Sequence, residues 1–301
     1  MTESPSLLNI NTQLGPFFNY PMRFRSELGK CNGLIAGDFV QNFLEFGRWG
    51  VTTMLLYVEQ GLKLQGFIDY LRDHEGYETR SQQHRILERN DAPGFYIWVR
   101  ATPGPPIINL INEAYTTAGL NVISWNKAYS LLPILTVVHH KFYSIKPFNN
   151  ILGLTLRGRA MYGWTTRDML WPDQTTQLIS RKQCRQIGGP HSLVIDLENL
   201  PPGDYTPDYV LDGSVFFVAW ESRDDTRRLS VSMQPAIEST ALRYTYTNGA
   251  GCRASREWKK FLRDQLDRWN YIEFAKMSQE ERPPGFYFRA PGNYRVYSPW
   301  L

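Results

Sequence analysis

The chain is poor in the residues that build disulfide and metal frameworks. Its three cysteines, Cys31, Cys184 and Cys252, include no close pair in 301 residues, and its five histidines join no cluster with zinc-ligand spacing. That pattern predicts neither a disulfide scaffold nor a structural metal, and no cofactor is expected. No apolar run approaches the roughly 18 residues a membrane-spanning helix needs, and the first thirty residues hold no stretch of signal-peptide character. The expectation is therefore a soluble, intracellular protein with no membrane partner. An excess of charge of one sign is scarce as well. A net charge of +4 falls short of the clustered positive charge of a dedicated nucleic-acid binder, so RNA or tRNA contact is allowed without being argued for. Internal repeats, low-complexity tracts and nucleophile motifs are also missing.

What the chain does have is apolar and aromatic mass. Hydrophobic residues make up 42% and charged residues 21%, a balance that predicts folding rather than disorder. Aromatics reach 14%, enough for a densely packed body with some left for contact surfaces. Residues 1–30 read as an irregular arm held down by Phe17, Phe18, Tyr20 and Phe24. A core domain over 31–200 follows, and 201–301 reads as a β-rich extension with an amphipathic helix and a Pro-rich tail.

Within the core, Phe39, Phe43, Leu44 and Phe46 recur at helical spacing behind Asp38, a good helix-capping residue, and Met54 to Val58 reads as a buried strand. Leu64, Phe67, Ile68 and Leu71 place a helix over 63–78 with Gly76 to end it. Phe95 to Arg100 and Ile107 to Ile111 read as a β-hairpin around the Thr102–Pro106 turn. Further on, 215–220, 228–233 and 242–247 read as strands, and Trp258, Phe261, Leu262, Leu266, Trp269 and Ile272 make an apolar stripe on a helix over 255–277.

This order of elements resembles the nucleotidyltransferases of the polymerase-β type, and more closely a fungal family in which that core is degenerate. The residues that carry the resemblance are Leu34-Ile35-Ala36-Gly37-Asp38 opening a helix, the strand Thr52 to Glu59, the phrase Asn121 to Pro133, Tyr162-Gly163-Trp164, and Arg185-Gln186-Ile187-Gly188. They span about residues 30–200. The resemblance implies an α+β fold, a nucleotidyltransferase-like mixed β-sheet flanked by helices. In active members a Gly-Ser turn holds phosphate at a helix N-terminus, and three carboxylates hold two Mg²⁺ ions.

At the matching positions this chain has Asp38 for the serine, Thr53 and Leu55 for the first two acids, and Asn109 on the expected hairpin strand for the third. Two close divalent cations need several anionic ligands, so the resemblance implies a pseudoenzyme without two-metal catalysis. Glu59 after the strand, and Asp69, Asp73 and Glu75 along the next helix, read as surface acids rather than displaced ligands.

The ligand-binding candidates are Gly37 and Asp38 at the helix start, Asn126 and Lys127 in the phrase, and the basic stretch Arg157, Arg159, Arg167, Arg181, Lys182 and Arg185 near Tyr162 and Trp164. Tyr129, His139 and His140 are weak acid–base candidates. Three functions are expected: a non-catalytic binding or regulatory module; a transferase or ligase that reuses the cleft for a nucleotide- or tRNA-linked substrate; or a structural, self-assembling protein with a protein partner.

Overall fold

The computed structural model describes residues 9–81, 85–147, 149–161, 163–164, 182–223, 226–237, 239–247 and 256–282; of Ile151, Arg159, 222–223, 226–227, Arg256 and Lys259 it gives backbone only. The described chain divides into two compact units, Met1–Ala236 with Tyr246–Cys252 and Ile237–Thr245 with Arg253–Leu301. Strands 215–223 and 226–233, assigned from sequence to an extension, lie in the first of these.

Over its described residues, 9–30, the N-terminal arm is not irregular. It forms helices α1 (Ile10–Leu14) and α2 (Pro21–Lys30), and α2 starts with proline at its first position, where the missing N–H costs nothing. Phe17, Phe18 and Phe24 are buried as expected, with Phe18 and Phe24 stacked at 3.7 Å, whereas Tyr20 is exposed.

The alternation that follows is β1 (Leu34–Ala36), α3 (Asp38–Leu44), β2 (Thr53–Glu59), α4 (Leu62–Glu75), β3 (Tyr77–Ser81), β4 (Ile86–Arg89) and β5 (Tyr96–Thr102). Gly76 closes α4 in the left-handed conformation, where a side chain would be strained. β2 pairs parallel with β5 and antiparallel with β1, and α4 with the β3–β4 ribbon makes the crossover.

The expected hairpin ends at β5. Residues Pro106–Glu113 form a helix, α5, rather than a strand. The run Ile107–Ile111 is ambiguous by periodicity alone, but Pro106 fits the first turn of a helix, and Ile107, Leu110 and Ile111 then bury one face.

β6 (Asn121–Ile123), β7 (Lys127–Ser130) and β9 (Leu193–Asp196) complete one sheet in the order β3-β4-β5-β2-β1-β6-β7-β9. Between them lie α6 (Asn150–Ala160) and β8 (Gln183–Gln186). After β9 come the short α7 (Asp208–Asp212), then β10 (Val215–Arg223) and β11 (Thr226–Met233), which form a second sheet, β11-β10-β8. The first sheet is mixed and flanked by helices, so the fold class is α+β.

Strand alternation sorts the core into two layers. Met54, Leu56, Val58, Ile97 and Val99 point to one face, with α1 to α4. Leu55 and Tyr57 point to the other, with α5 and with Phe216, Val218 and Leu229 of the second sheet.

In the second unit, α8 (Arg256–Lys276) matches the expected helix, and the Asn270 carboxamide oxygen caps the turn at 239–241 through Ala241 N–H and the Ser239 and Thr240 hydroxyls. Of 242–247, expected as a strand, only Tyr246–Thr247 is extended and bridged. The Pro-rich tail lies outside the described residues. Cys184 is disulfide-bonded, which the sequence, read as giving no disulfide scaffold, did not suggest, because distance along the chain says nothing of distance in space; Cys31 is free and buried. Among the described residues no helix is long and apolar enough to cross a membrane.

Candidate functional site

Two places in the first unit gather the residues singled out from sequence. One is the turn at Gly37. Gly37 has φ 77°, so the tight turn from β1 into α3 depends on glycine, and Asp38 is the exposed first residue of that helix. A Cβ on Gly37 would stand 3.6 Å from the Cβ of Leu55, so the turn faces the β2 position where the resemblance expects an acid.

Thr53 and Leu55 are partly buried on this face, and Leu55 packs against the second apolar cluster. Across the parallel pair, Leu55 is in register with Trp98 and Tyr57 with Arg100. Trp98 is 42% exposed and Arg100 is exposed. The Tyr57 hydroxyl donates to Glu113 of α5 at 3.0 Å, and burial, helped by that carboxylate, raises its pKa. Asn109 lies on α5 and not on a strand, so it has no register position against β2; the strand in register with β2 is β5, and it offers an indole and a guanidinium where an acid was expected.

The other place is the β6–β7 turn. Asn126, Lys127 and Tyr129 all reach α7. The Asn126 amide donates to Asp208 at 2.8 Å, and Lys127 Nζ lies 2.9 Å from Asp212 and 3.1 Å from Asp208. The Tyr129 hydroxyl donates to the second oxygen of Asp212 at 2.8 Å. Burial opposes the charge on Lys127, but the two carboxylates outweigh it and raise the pKa. Tyr129 is fully buried, and burial together with Asp212 raises its pKa.

Gly188 belongs to the same assembly: its N–H donates to Asp212 O at 3.0 Å, and a Cβ there would come within 2.7 Å of the Asp212 side chain. On the other side of the turn, buried Arg25 donates to the Trp125 carbonyl at 2.8 Å and to the Glu198 carbonyl at 2.5 Å. The polar centre of the phrase is thus bonded from both sides by protein groups. Asp208 and Asp212 were not singled out from sequence. Their i, i+4 spacing is a helix signal, but nothing in it points to Lys127.

The remaining candidates are scattered. His139 is exposed; His140 lies 3.4 Å from the Glu45 carboxylate, with its ring 5.0 Å from that of Trp164. Glu59 pairs with Lys63, and Asp69 and Asp73 with Arg72, as surface acids do. Glu75 differs from expectation: it is fully buried and accepts from the Tyr70 hydroxyl at 2.6 Å and the Asn19 N–H at 2.7 Å. Of the basic stretch, Arg157 is exposed on α6, Lys182 sits 4.4 Å from the Phe217 ring, and Arg185 is on β8. The Arg159 side chain, and Arg167, Arg181 and Tyr162 entirely, lie outside the described residues. Among the described residues no three His, Cys, Asp or Glu side chains are grouped to hold a metal ion.

Compared with family models, curated proteins and solved structures, the chain matches none of them.

Proposed function

We propose that the protein is a catalytically degenerate nucleotidyltransferase-like module that binds or regulates rather than transfers nucleotides. The observation that carries this reading is Leu55, which faces the Gly37 turn and packs into an apolar cluster at the position where a metal-binding acid would stand. A metal needs anionic oxygen there, and an aliphatic side chain beside a neutral threonine supplies none. Trp98 and Arg100 on the parallel neighbour offer a stacking surface and a cation, groups that suit binding.

The test is thermal denaturation with each of the four nucleoside triphosphates and Mg²⁺ or Mn²⁺, alongside a labelled-nucleotide transfer assay on bulk RNA. We expect no metal-dependent stabilisation and no labelled product; a metal-dependent shift with any triphosphate would overturn the reading, since a ligand of the folded state must stabilise it by mass action.

One observation favours a second reading, a self-assembling or protein-binding role. Phe261, Trp269 and Ile272 on α8 are each 50% exposed, and large apolar side chains gathered on one helix face are typical of contact surfaces. Light scattering on a dilution series separates the two readings.

A further inference from the structure

The resemblance-bearing segments hold a second cation, Arg185, and it is built unlike Lys127. Arg185 lines a cavity of about 170 Å³ between the 132–135 segment, which ends the phrase, and the loop after β8. The Arg185 Nε donates to Gln183 Oε1 at 3.0 Å and Nη2 to the same oxygen at 2.6 Å. Among the described residues these are its hydrogen bonds, and the acceptor is neutral. Burial lowers its pKa, and among the described residues no carboxylate pairs with it. Arg185 is partly buried, and a guanidinium partly withdrawn from water beside a neutral acceptor gains from an anion that arrives from outside.

The geometry also selects the anion. Gln183 takes the Nε side of the fork, which leaves the edge formed by Nη1 and Nη2, two parallel donors that match a planar carboxylate. The rest of the wall is mostly apolar, with Leu132 and Leu135 on one side and Pro190 on the other, and His191 and Ser192 are its polar members. A phosphate, which carries more charge and holds water more strongly, would gain nothing from the apolar side of the wall, where a carboxylate's hydrocarbon body would lie.

We infer that this cavity binds a small organic carboxylate, its charged end on the Arg185 fork and a short aliphatic or aromatic body against Leu132, Leu135 and Pro190. Gly37, Thr53 and Leu55 take no part in it, so the site stands whether or not the degenerate-cleft reading does.

The test is calorimetric titration of the full chain with hexanoate, with hexanol and inorganic phosphate as controls that lack the charge and the apolar body respectively. We expect saturable hexanoate binding at millimolar concentration or below, and none with either control. Arg185→Gln should weaken hexanoate at least about tenfold and Arg185→Lys by less, because lysine keeps the charge but not the fork. Ile134→Asp places a negative charge at a rim position that is 48% exposed, where folding is not at stake, and should weaken binding to a similar degree. Failure of hexanoate to bind, unchanged binding in Arg185→Gln, or equal binding of phosphate would each overturn the proposal.

Discussion

Lys127 and Arg185 lie on segments singled out for the same reason, yet the protein treats their charges in opposite ways. Lys127 is 18% exposed and meets two carboxylates, with a third group, Tyr129, locking the nearer one in place. Arg185 meets a carboxamide. A charge neutralised by its own chain belongs to the architecture, and one left uncompensated in a cavity belongs to whatever the cavity accepts. The contrast separates structural from binding residues where residue type alone does not.

The largest expected effect that would sharpen this contrast is at Gly188. An alanine methyl would collide with Asp212, so Gly188→Ala must displace the acid on which Lys127 and Tyr129 depend. Urea denaturation should register a loss of about 2–4 kcal/mol. A loss below roughly 0.5 kcal/mol, the range of neutral surface changes, would mean that α7 shifts freely and that the assembly is not structural.

An intermediate effect is expected with pH. The folded-state pKa of Tyr129 is raised, so its contribution is fully present below the ordinary tyrosine value of 10.0 and is lost as pH rises from there toward the folded value. Cys31, pushed up to about 12 by burial, acts in the same direction, its contribution being present below its ordinary 9.0 and lost between there and about 12. Stability should therefore fall as pH rises from 9 through 11, and Tyr129→Phe should have a shallower slope than wild type above pH 10. Identical slopes would show that the Tyr129 phenol titrates alike in folded and unfolded chains.

The smallest effect is expected at the other pole of the comparison. Arg185→Gln removes no ion pair among the described residues and should change stability by less than about 0.5 kcal/mol, with a gain as acceptable as a loss. A loss of about 2 kcal/mol or more would make Arg185 a structural residue like Lys127.

Much of the first unit was legible because its signals are local. The 3.6-residue recurrence at Phe39, Phe43 and Leu44, the apolar run at 54–58 and the stop at Gly76 each depend on neighbours within a few positions. The reading failed where two local signals competed. At 106–113 an apolar run long enough for a strand followed a proline that suits a helix start, and burial against the sheet decided for the helix. At 10–30 the short α1 and α2 helices were hidden among prolines, asparagines and aromatics.

The candidate residues followed the same division. Asn126, Lys127, Tyr129 and Arg185 could be named from the phrases they sit in, but not their roles, because what distinguishes those roles is the partner. Asp208 and Asp212 lie more than eighty positions from the groups they bind, and the Gly188 contact exists only once α7 is docked.

By itself, then, the sequence determined the alternation of strand and helix, the glycine turn at 37 and the neutral residues at 53 and 55, since each follows from side-chain size, periodicity or charge at a single position. Which cation is neutralised and which is left in a cavity was decided only by the tertiary structure, because electrostatic compensation depends on distance in space and on the water excluded between groups.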